Sequence, residues 1–136
     1  MTYGHKFALT TVAALTCVLA GHSSAALAQN KTQIQWVSEC ADVHNKNVSV
    51  AACTHRIESK TLNNDDLGLA YYNRGAAYAN AHDFDNAIRD LTQAIRVRPT
   101  LSAAFYARSK VYGAQGKSAL AAKDAIQAKR LDAAGH

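Results

Sequence analysis

The sequence contains few residues that break or bend helices. Its 136 residues include one Pro and seven Gly, which argues against a turn-rich β fold and against low-complexity disorder. Charged residues make up 18% of the chain, aromatic residues 7% and hydrophobic residues 49%, as in an ordinary globular domain. Beyond the first thirty residues no apolar run is long enough to span a membrane. These features indicate one small, alanine-rich domain, which we expect to be all-α.

The first part of the chain predicts an export signal. A weakly basic start is followed by residues 7–20, which carry no charge, and then by the small residues of Ala26–Ala28. We expect cleavage after residues 1–28, a flexible lead-in at residues 29–34, and a periplasmic or secreted protein without stable membrane insertion. The alternatives are a lipoprotein modified at Cys17 and an uncleaved anchor. For an anchor the fourteen residues are short, because a helical span needs about 20.

Two of the three cysteines, Cys40 and Cys53, follow the expected cleavage site. An oxidising compartment favours a disulfide between them, and Asn45–Asn47 provides a turn that would bring two short helices together. The alternatives are a redox-active pair, a metal site or free thiols. The cysteine spacing is not C-x-x-C, and His44 and His55 form no recognisable metal-ligand grouping with them. We therefore expect a structural disulfide and no metal or cofactor.

The second half of the chain aligns with itself at an offset of 34 residues. Large apolar residues recur at helical spacing within each copy, and polar turns at residues 80–83 and 114–117 separate two helices. Pro99 stands where the first copy should end. The aligned pairs are Tyr71 with Phe105, Arg74 with Arg108, Tyr78 with Tyr112, Ala87 with Ala121, Asp90 with Asp124, and Ala94 with Ala128.

The first of these copies resembles a tetratricopeptide repeat. The resemblance implies a stack of antiparallel helix pairs, a short α-solenoid, with residues 68–101 and 102–136 as its two clear repeats. The second copy is weaker, because Ser109 replaces the small glycine and Ala133 replaces the proline. The residues of the first copy that match the family pattern are Tyr71, Gly75, Tyr78, Ala87, Ala94 and Pro99.

The resemblance extends to residues 35–67 as a degenerate helix pair. In the same frame Val37 matches Tyr71 and Cys53 matches Ala87. The cysteines would then lie where the paired helices of this family approach closely, which adds support to the disulfide. With its export signal, the chain resembles short exported repeat proteins of Gram-negative bacteria.

The resemblance also implies a function. Repeats of this family bind a peptide or a partner protein in a concave groove formed by the first helix of each pair, so we expect a non-catalytic adaptor or scaffold. The alternative is a small structural subunit, or a self-associating component, of a cell-envelope complex. The implied groove residues are Leu69, Tyr72, Asn73, Ala76, Asn80, Ala103, Tyr106 and Lys110, to which the first pair would add Ser38, Glu39 and Asp42.

Enzymatic activity and nucleic-acid binding are competing interpretations. The sequence contains no Ser/His/Asp spacing, phosphate-binding loop or metalloprotease motif. The net charge of +5 would suit a nucleic acid, but the basic residues are interleaved with acidic ones and export argues against such a partner. Arg74 and Arg108 occupy equivalent positions and could pair with carboxylates of the adjacent repeat; for both we expect solvated packing rather than contact with a ligand.

Overall fold

The computed structural model describes residues 31–135. The predicted signal peptide, residues 1–28, lies outside the described residues, as do residues 29–30 and His136. The described part contains six α-helices and no strand, which confirms the all-α prediction. The helices are α1 (Gln33–Ala41), α2 (Lys46–Glu58), α3 (Asn64–Asn80), α4 (Phe84–Val97), α5 (Ser102–Ala114) and α6 (Ser118–Ala133).

A capping box fixes the start of α1. The backbone N–H of Gln35 donates to the Thr32 hydroxyl at 3.3 Å, and the backbone N–H of Thr32 donates to Gln35 Oε1 at 2.7 Å. These bonds satisfy two N–H groups that a helix start otherwise leaves unpaired. As a result Gln33 and Ile34 are helical, whereas the sequence predicted a flexible lead-in over residues 29–34. Asparagine side chains cap α2 and α3 in a similar way.

The helices form three consecutive pairs, α1–α2, α3–α4 and α5–α6, and α3 also contacts both α1 and α5. Small side chains dominate the interior, and Leu91 is the largest side chain that is fully buried. Small residues let helices approach closely, and stacked pairs share a core that one pair could not form alone. This arrangement confirms the predicted helix-pair repeat stack. The fully buried alanines are Ala52, Ala70, Ala77, Ala87, Ala94 and Ala104.

Gly75 marks a close approach within the middle pair. A Cβ atom at this position would lie 2.9 Å from Leu91 Cγ and 3.3 Å from the carbonyl oxygen of Ala87, so α3 and α4 could not keep this separation with a larger residue. Ser109 holds the equivalent position in the last pair, and its hydroxyl donates to the Ala121 carbonyl at 2.7 Å. The last pair therefore accommodates a side chain that the middle pair excludes.

An arginine–aspartate pair connects the two helices of each clear repeat. Arg74 Nε lies 2.7 Å from Asp90 Oδ2, and Arg74 Nη2 lies 3.0 Å from Asp90 Oδ1. Arg108 and Asp124 repeat both distances. Each carboxylate belongs to the same repeat as its arginine, so the suggested pairing with the adjacent repeat is wrong. The turn within each pair brings residues 16 positions apart together, which places the aspartate opposite the arginine.

The preceding helix pair supplies a hydroxyl to each arginine. Arg74 Nη1 donates to Thr54 Oγ1 at 2.8 Å, and Arg108 Nη1 donates to Thr92 Oγ1 at 2.9 Å. Burial acts to lower the pKa of Arg74, but the hydrogen bonds and the charge of Asp90 outweigh it, and the pKa lies above its usual value. Each guanidinium therefore stays charged and ties three helices together.

The first pair follows the repeat in a shifted frame. Trp36 packs against the buried cluster around the cysteines, whereas Val37 is 46% exposed. Trp36 therefore takes the core position that Tyr71 holds in the middle pair, and the predicted match of Val37 with Tyr71 is wrong by one residue. In the shifted frame Cys40, which is fully buried, corresponds to Gly75.

A disulfide joins Cys40 to Cys53 across the first pair, with the Cα atoms 4.7 Å apart. Both residues are fully buried. Thr54 and Thr92 each accept a hydrogen bond from the arginine of the next pair, so Cys53 corresponds to Leu91, and the predicted match of Cys53 with Ala87 is wrong. The covalent bond thus replaces the glycine–leucine contact of the middle pair, and it is compatible with the predicted pairing.

Helix α3 has an extra turn at its beginning. Asn63 caps this turn by accepting a hydrogen bond from the Asp66 backbone N–H at 2.8 Å, and α3 begins at Asn64, whereas α5 begins at Ser102. The predicted boundary between residues 67 and 68 therefore lies inside α3. The extra turn also shifts α2 relative to the repeat spacing. Arg74 and Thr54 are 20 residues apart, whereas the equivalent Arg108 and Thr92 are 16 residues apart.

Candidate partner-binding cleft

The first helices of the second and third pairs enclose a cleft of about 490 Å³. Helices α3 and α5 form its two sides, and the turn between α1 and α2 closes one end. The position agrees with the concave surface on which the sequence placed a groove. Its lining residues are Val43, His44, Tyr72, Ala76, Ala79, Asn80, His82, Phe84, Tyr106, Ala107, Lys110, Val111 and Ala114.

The cleft combines a small-residue floor with aromatic sides. Four alanines line it, and their short side chains leave room between α3 and α5 that larger residues would fill. Tyr72, Phe84 and Tyr106 provide the aromatic surface, and Tyr106 is 59% exposed. Exposed aromatic residues next to an apolar cavity are typical anchors for a bound protein or peptide.

Polar contacts fix the end of the cleft that the α1–α2 turn closes. Asn80 Nδ2 donates to the Val43 carbonyl at 3.0 Å, which ties the turn to the end of α3. Lys46 Nζ lies 3.7 Å from Asp83 Oδ2. A hydrogen bond donated by Asn86 at 2.9 Å is the main cause that lowers the pKa of Asp83 below its usual value. Asp83 therefore stays negative beside Lys46, and the pair holds the end wall in place.

Five of the predicted groove residues line this cleft: Tyr72, Ala76, Asn80, Tyr106 and Lys110. Lys110 is exposed, and its Nζ lies 5.7 Å from the centre of the Tyr106 ring, within the range of a cation–π interaction.

The other predicted groove residues do not line the cleft: Leu69, Asn73, Ala103, Ser38, Glu39 and Asp42. Leu69 lies nearer the start of α3 and is 36% exposed. The side-chain amide of Asn73 points toward Cys40, with Nδ2 4.0 Å from Sγ. Because α1 packs against α3, the face of α3 that carries Asn73 is taken up by the first pair.

Sequence reasoning missed the lining residues contributed by turns, three residues of α5, Ala79 of α3 and Phe84 at the start of α4. Val43 and His44 lie in the turn between α1 and α2, which ends at Asn45 because Lys46 and Asn47 are helical, and His82 lies in the turn between α3 and α4. The turns were recognised in the sequence, but their direction relative to the groove depends on how the pairs stack. Ala107 and the other missed α5 residues follow the helical spacing of Tyr106, so extending that spacing along α5 could have found them.

The lining is mostly apolar and aromatic, with two histidines, one asparagine and one lysine. The described residues that line the cleft include no Asp, Glu, Ser, Thr or Cys. Within residues 31–135, no group of three or more His, Cys, Asp or Glu residues is placed to hold a metal ion. Over the same residues, each helix is too short or too polar to cross a membrane.

A second concavity lies on the outer face of the last pair. It is bounded by α5 and α6 and measures about 720 Å³. Phe105 and Ile126 contribute apolar surface, and Ile126 is 52% exposed. Lys123 and Arg130 give this face a basic character.

Comparison with known proteins yields one similarity. Residues 68–101 match the family model described as tetratricopeptide repeat. The match has the same bounds as the first clear repeat of the sequence analysis, and it covers α4 and all of α3 except its first turn. No curated protein and no solved structure shows significant similarity to the chain.

Proposed function

Because the chain carries a tetratricopeptide repeat at residues 68–101, we propose that it is an exported, non-catalytic adaptor or scaffold that binds a peptide or partner protein in the cleft between α3 and α5. The repeat itself indicates a protein-interaction module. The cleft is the observation that carries the proposal: it is apolar, open on the concave side, and edged by the exposed ring of Tyr106. Export is supported by the signal-like residues 1–28 and by the disulfide, which suits an oxidising compartment.

A pair of matched substitutions tests the site. Ala76 lines the cleft and belongs to none of the buried clusters, so Ala76→Leu should fill the cleft without disturbing the core. Ala122→Leu makes the same change on the exposed face of α6. A photoreactive amino acid in place of Tyr106, introduced into each variant and into the otherwise unchanged chain, would capture partners in the native cell.

Capture at position 106 should be lost in Ala76→Leu and kept in Ala122→Leu. Loss in Ala122→Leu alone would contradict the cleft and move the binding site to the outer face of α6. The N-terminus of this chain in the cross-linked complex, read by mass spectrometry, tests export: the chain should begin at Gln29. A cross-linked chain that retains residues 1–28 would contradict signal cleavage.

A second candidate is a self-associating component of a cell-envelope complex. The exposed Ile126 and Leu120 on α6 favour it, since apolar residues at the end of a repeat stack can meet another copy. In the same experiment, self-association predicts cross-links between two copies of the chain that Ala122→Leu alters. Cross-links to a different protein only would contradict this candidate.

A further inference from the structure

Helix α2 contains a buried arginine where the other two pairs have alanine. Arg56 is 8% exposed, and the equivalent positions of α4 and α6 are occupied by Ala94 and Ala128. Within residues 31–135, the carboxylates that form ion pairs do so with other cations and not with Arg56. A buried charge without a counter-charge lowers stability, so packing alone does not explain an arginine at this position.

The guanidinium of Arg56 points at the disulfide. Its Nη1 lies 4.0 Å from Cys40 Sγ, and Asn73 Nδ2 lies at the same distance from that sulfur atom. Both nitrogen atoms are donors, whereas the sulfur of a disulfide is a weak acceptor. A thiolate at Cys40 would accept hydrogen bonds from both groups and would supply the counter-charge that the guanidinium lacks. These two donors therefore favour the reduced state of Cys40.

Cys53 has different surroundings. Its Sγ lies 3.3 Å from the backbone carbonyl oxygen of Cys40 and 3.9 Å from Ser49 Oγ. A protonated thiol at Cys53 would donate to that carbonyl oxygen, which a disulfide sulfur cannot do. The two cysteines are therefore unequal: the surroundings suit a thiolate at Cys40 and a neutral thiol at Cys53.

The other charged groups on the helices around the disulfide have partners elsewhere. On α1, Glu39 accepts a hydrogen bond from Lys31 at 2.6 Å. On α3, Arg74 is paired with Asp90. On α2, His55 is exposed and stacks on the tryptophan of α1, with ring centroids 4.0 Å apart. Among the described residues, the charge within hydrogen-bonding reach of the disulfide is therefore that of the buried arginine.

We infer that the Cys40–Cys53 disulfide is a redox-sensitive bond, which a protein carrying a reactive dithiol opens by thiol–disulfide exchange. One thiolate of the dithiol attacks Cys53 Sγ, the bond between the two cysteine sulfurs breaks, and Cys40 leaves as a thiolate that Arg56 stabilises. The second thiolate of the dithiol attacks its own sulfur in the mixed disulfide and releases Cys53. Two electrons pass to the cysteines and the dithiol becomes a disulfide; of the two protons that it loses, one goes to Cys53 and the other to solvent.

The position of the first pair in the stack gives the dithiol access. Both cysteines are fully buried, so exchange requires the first pair to open. Among the later helices of the described residues, this pair contacts α3 alone, and it can open while the middle and last pairs stay folded. Reduction removes the covalent link across the pair whose turn carries Val43 and His44 at the end of the cleft. The inference does not depend on what the cleft binds.

Equilibration with reduced and oxidised glutathione measures the contribution of the arginine. A Cys17→Ser background leaves Cys40 and Cys53 as the only cysteines, and the oxidised and reduced fractions are trapped with acid, alkylated and counted by mass spectrometry. Equilibrium is approached from both the oxidised and the reduced chain. Arg56→Gln should lower the equilibrium constant for reduction about tenfold, or about 30 mV, because the thiolate loses its counter-charge.

Two further variants separate the charge from a merely structural role. Arg56→Lys keeps the positive charge and should restore most of the equilibrium constant. Arg96→Gln makes the same change as Arg56→Gln at an exposed position of α4, and it should change the constant less than about twofold. A loss of stability that is equal in the oxidised and reduced chains would leave the constant unchanged in every variant.

The ultraviolet absorbance of a thiolate tests the difference between the two cysteines. In the same background, Cys53→Ser leaves Cys40 as the single cysteine, and Cys40→Ser leaves Cys53. At neutral pH the lone Cys40 should absorb as a thiolate, and the lone Cys53 should not. Adding Arg56→Gln to Cys53→Ser should remove the absorbance, since the guanidinium favours the ionised sulfur.

Three results would overturn the inference. If an excess of reduced glutathione leaves the disulfide of the unsubstituted chain intact at equilibrium, the bond is only structural. If Arg56→Gln leaves the equilibrium constant unchanged, or if Arg56→Lys does not restore it, the guanidinium does not favour the reduced state. If the lone Cys53 absorbs as a thiolate and the lone Cys40 does not, the assignment of the leaving sulfur is wrong and exchange through Cys40 is excluded.

Discussion

At the scale of single residues, the turn inside each clear repeat shows how one backbone angle affects stability. Gly116 has φ of 73° and His82, at the equivalent place in the middle pair, has φ of 59°. Glycine adopts this left-handed region freely, but a residue with a Cβ atom does so at a cost of about 1 kcal/mol. The ring of His82 lines the cleft and lies edge-on to Phe84, with centroids 5.7 Å apart. The middle repeat therefore carries backbone strain next to the cleft.

We predict that His82→Gly raises the free energy of unfolding by roughly 0.5–1 kcal/mol, because the strain of the left-handed backbone is removed. Gly116→Ala should lower it by about 1 kcal/mol for the opposite reason. Urea unfolding followed by circular dichroism measures both. His82→Asn is the control, since asparagine tolerates this backbone region and also removes the ring. If His82→Gly and His82→Asn both destabilise the protein, the contact with Phe84 outweighs the strain.

At the scale of helices, the sequence predicted the middle and last pairs well because their spacing is the same. Arg74 and Arg108, with their aspartates, recur at one offset and take the same geometry. In the first pair α1 ends soon after Cys40, whereas α3 continues to Asn80 beyond Gly75, and the extra turn at the start of α3 nearly cancels this shortening. For this reason the alignment at the fixed offset of 34 residues still looks acceptable along α1, although it wrongly assigns Val37 to the core in place of Trp36.

The same limit applies to the cleft. Tyr72, Tyr106 and Lys110 could be placed from the sequence because the spacing within a helix determines which residues share a face. Asn73 lies on α3 beside them, but its orientation depends on where α1 packs, and no local pattern encodes this. Val43 could not be placed either, since the direction of the α1–α2 turn follows from the disulfide and from the bond with Asn80.

The disulfide should stabilise the first pair and, through it, the end wall of the cleft. We predict that the double substitution of Cys40 and Cys53 by alanine lowers the free energy of unfolding by about 3 kcal/mol, the value expected for closing a loop of this length. Trp36 is the one tryptophan of the chain and packs against the cysteine cluster, so its fluorescence reports on this pair. The urea midpoint measured by fluorescence should fall more than the midpoint measured by circular dichroism.

A chemical control separates the bond from the side chains. Dithiothreitol should lower the fluorescence midpoint of the unsubstituted protein and should leave the double variant unchanged. In the double variant, capture of a partner from position 106 should also be weaker, because Val43 and His44 lie in the turn of the loosened pair. Unchanged midpoints in both experiments would mean that packing around Trp36 holds the pair without the bond.

At the scale of the whole molecule, the middle pair contacts a helix pair on each side, whereas the last pair contacts a helix pair on one side. Helix α3 contacts α1 and α2 on one side and α5 on the other, whereas α6 packs mainly against α5. In a stack of this kind, stability is shared between nearest neighbours. Loss of the middle pair removes the support of both ends, while loss of the last pair removes the support of one.

The two arginine–aspartate pairs allow this difference to be measured, because Asp90 and Asp124 make the same bonds and each side chain is 6% exposed. We predict that Asp90→Asn and Asp124→Asn each weaken the local pair by about 2–3 kcal/mol, since each leaves a largely buried guanidinium without its counter-charge. Hydrogen exchange measured by mass spectrometry should then diverge. Asp90→Asn should speed exchange along all six helices, because the middle pair supports both ends. Asp124→Asn should speed exchange in α5 and α6 and leave α1 and α2 close to the unsubstituted protein, since opening of the end need not cross the middle repeat. Equal exchange patterns in the two variants would show that the six helices unfold as one unit, and in that case the position of a repeat in the stack would not determine how far its loss spreads.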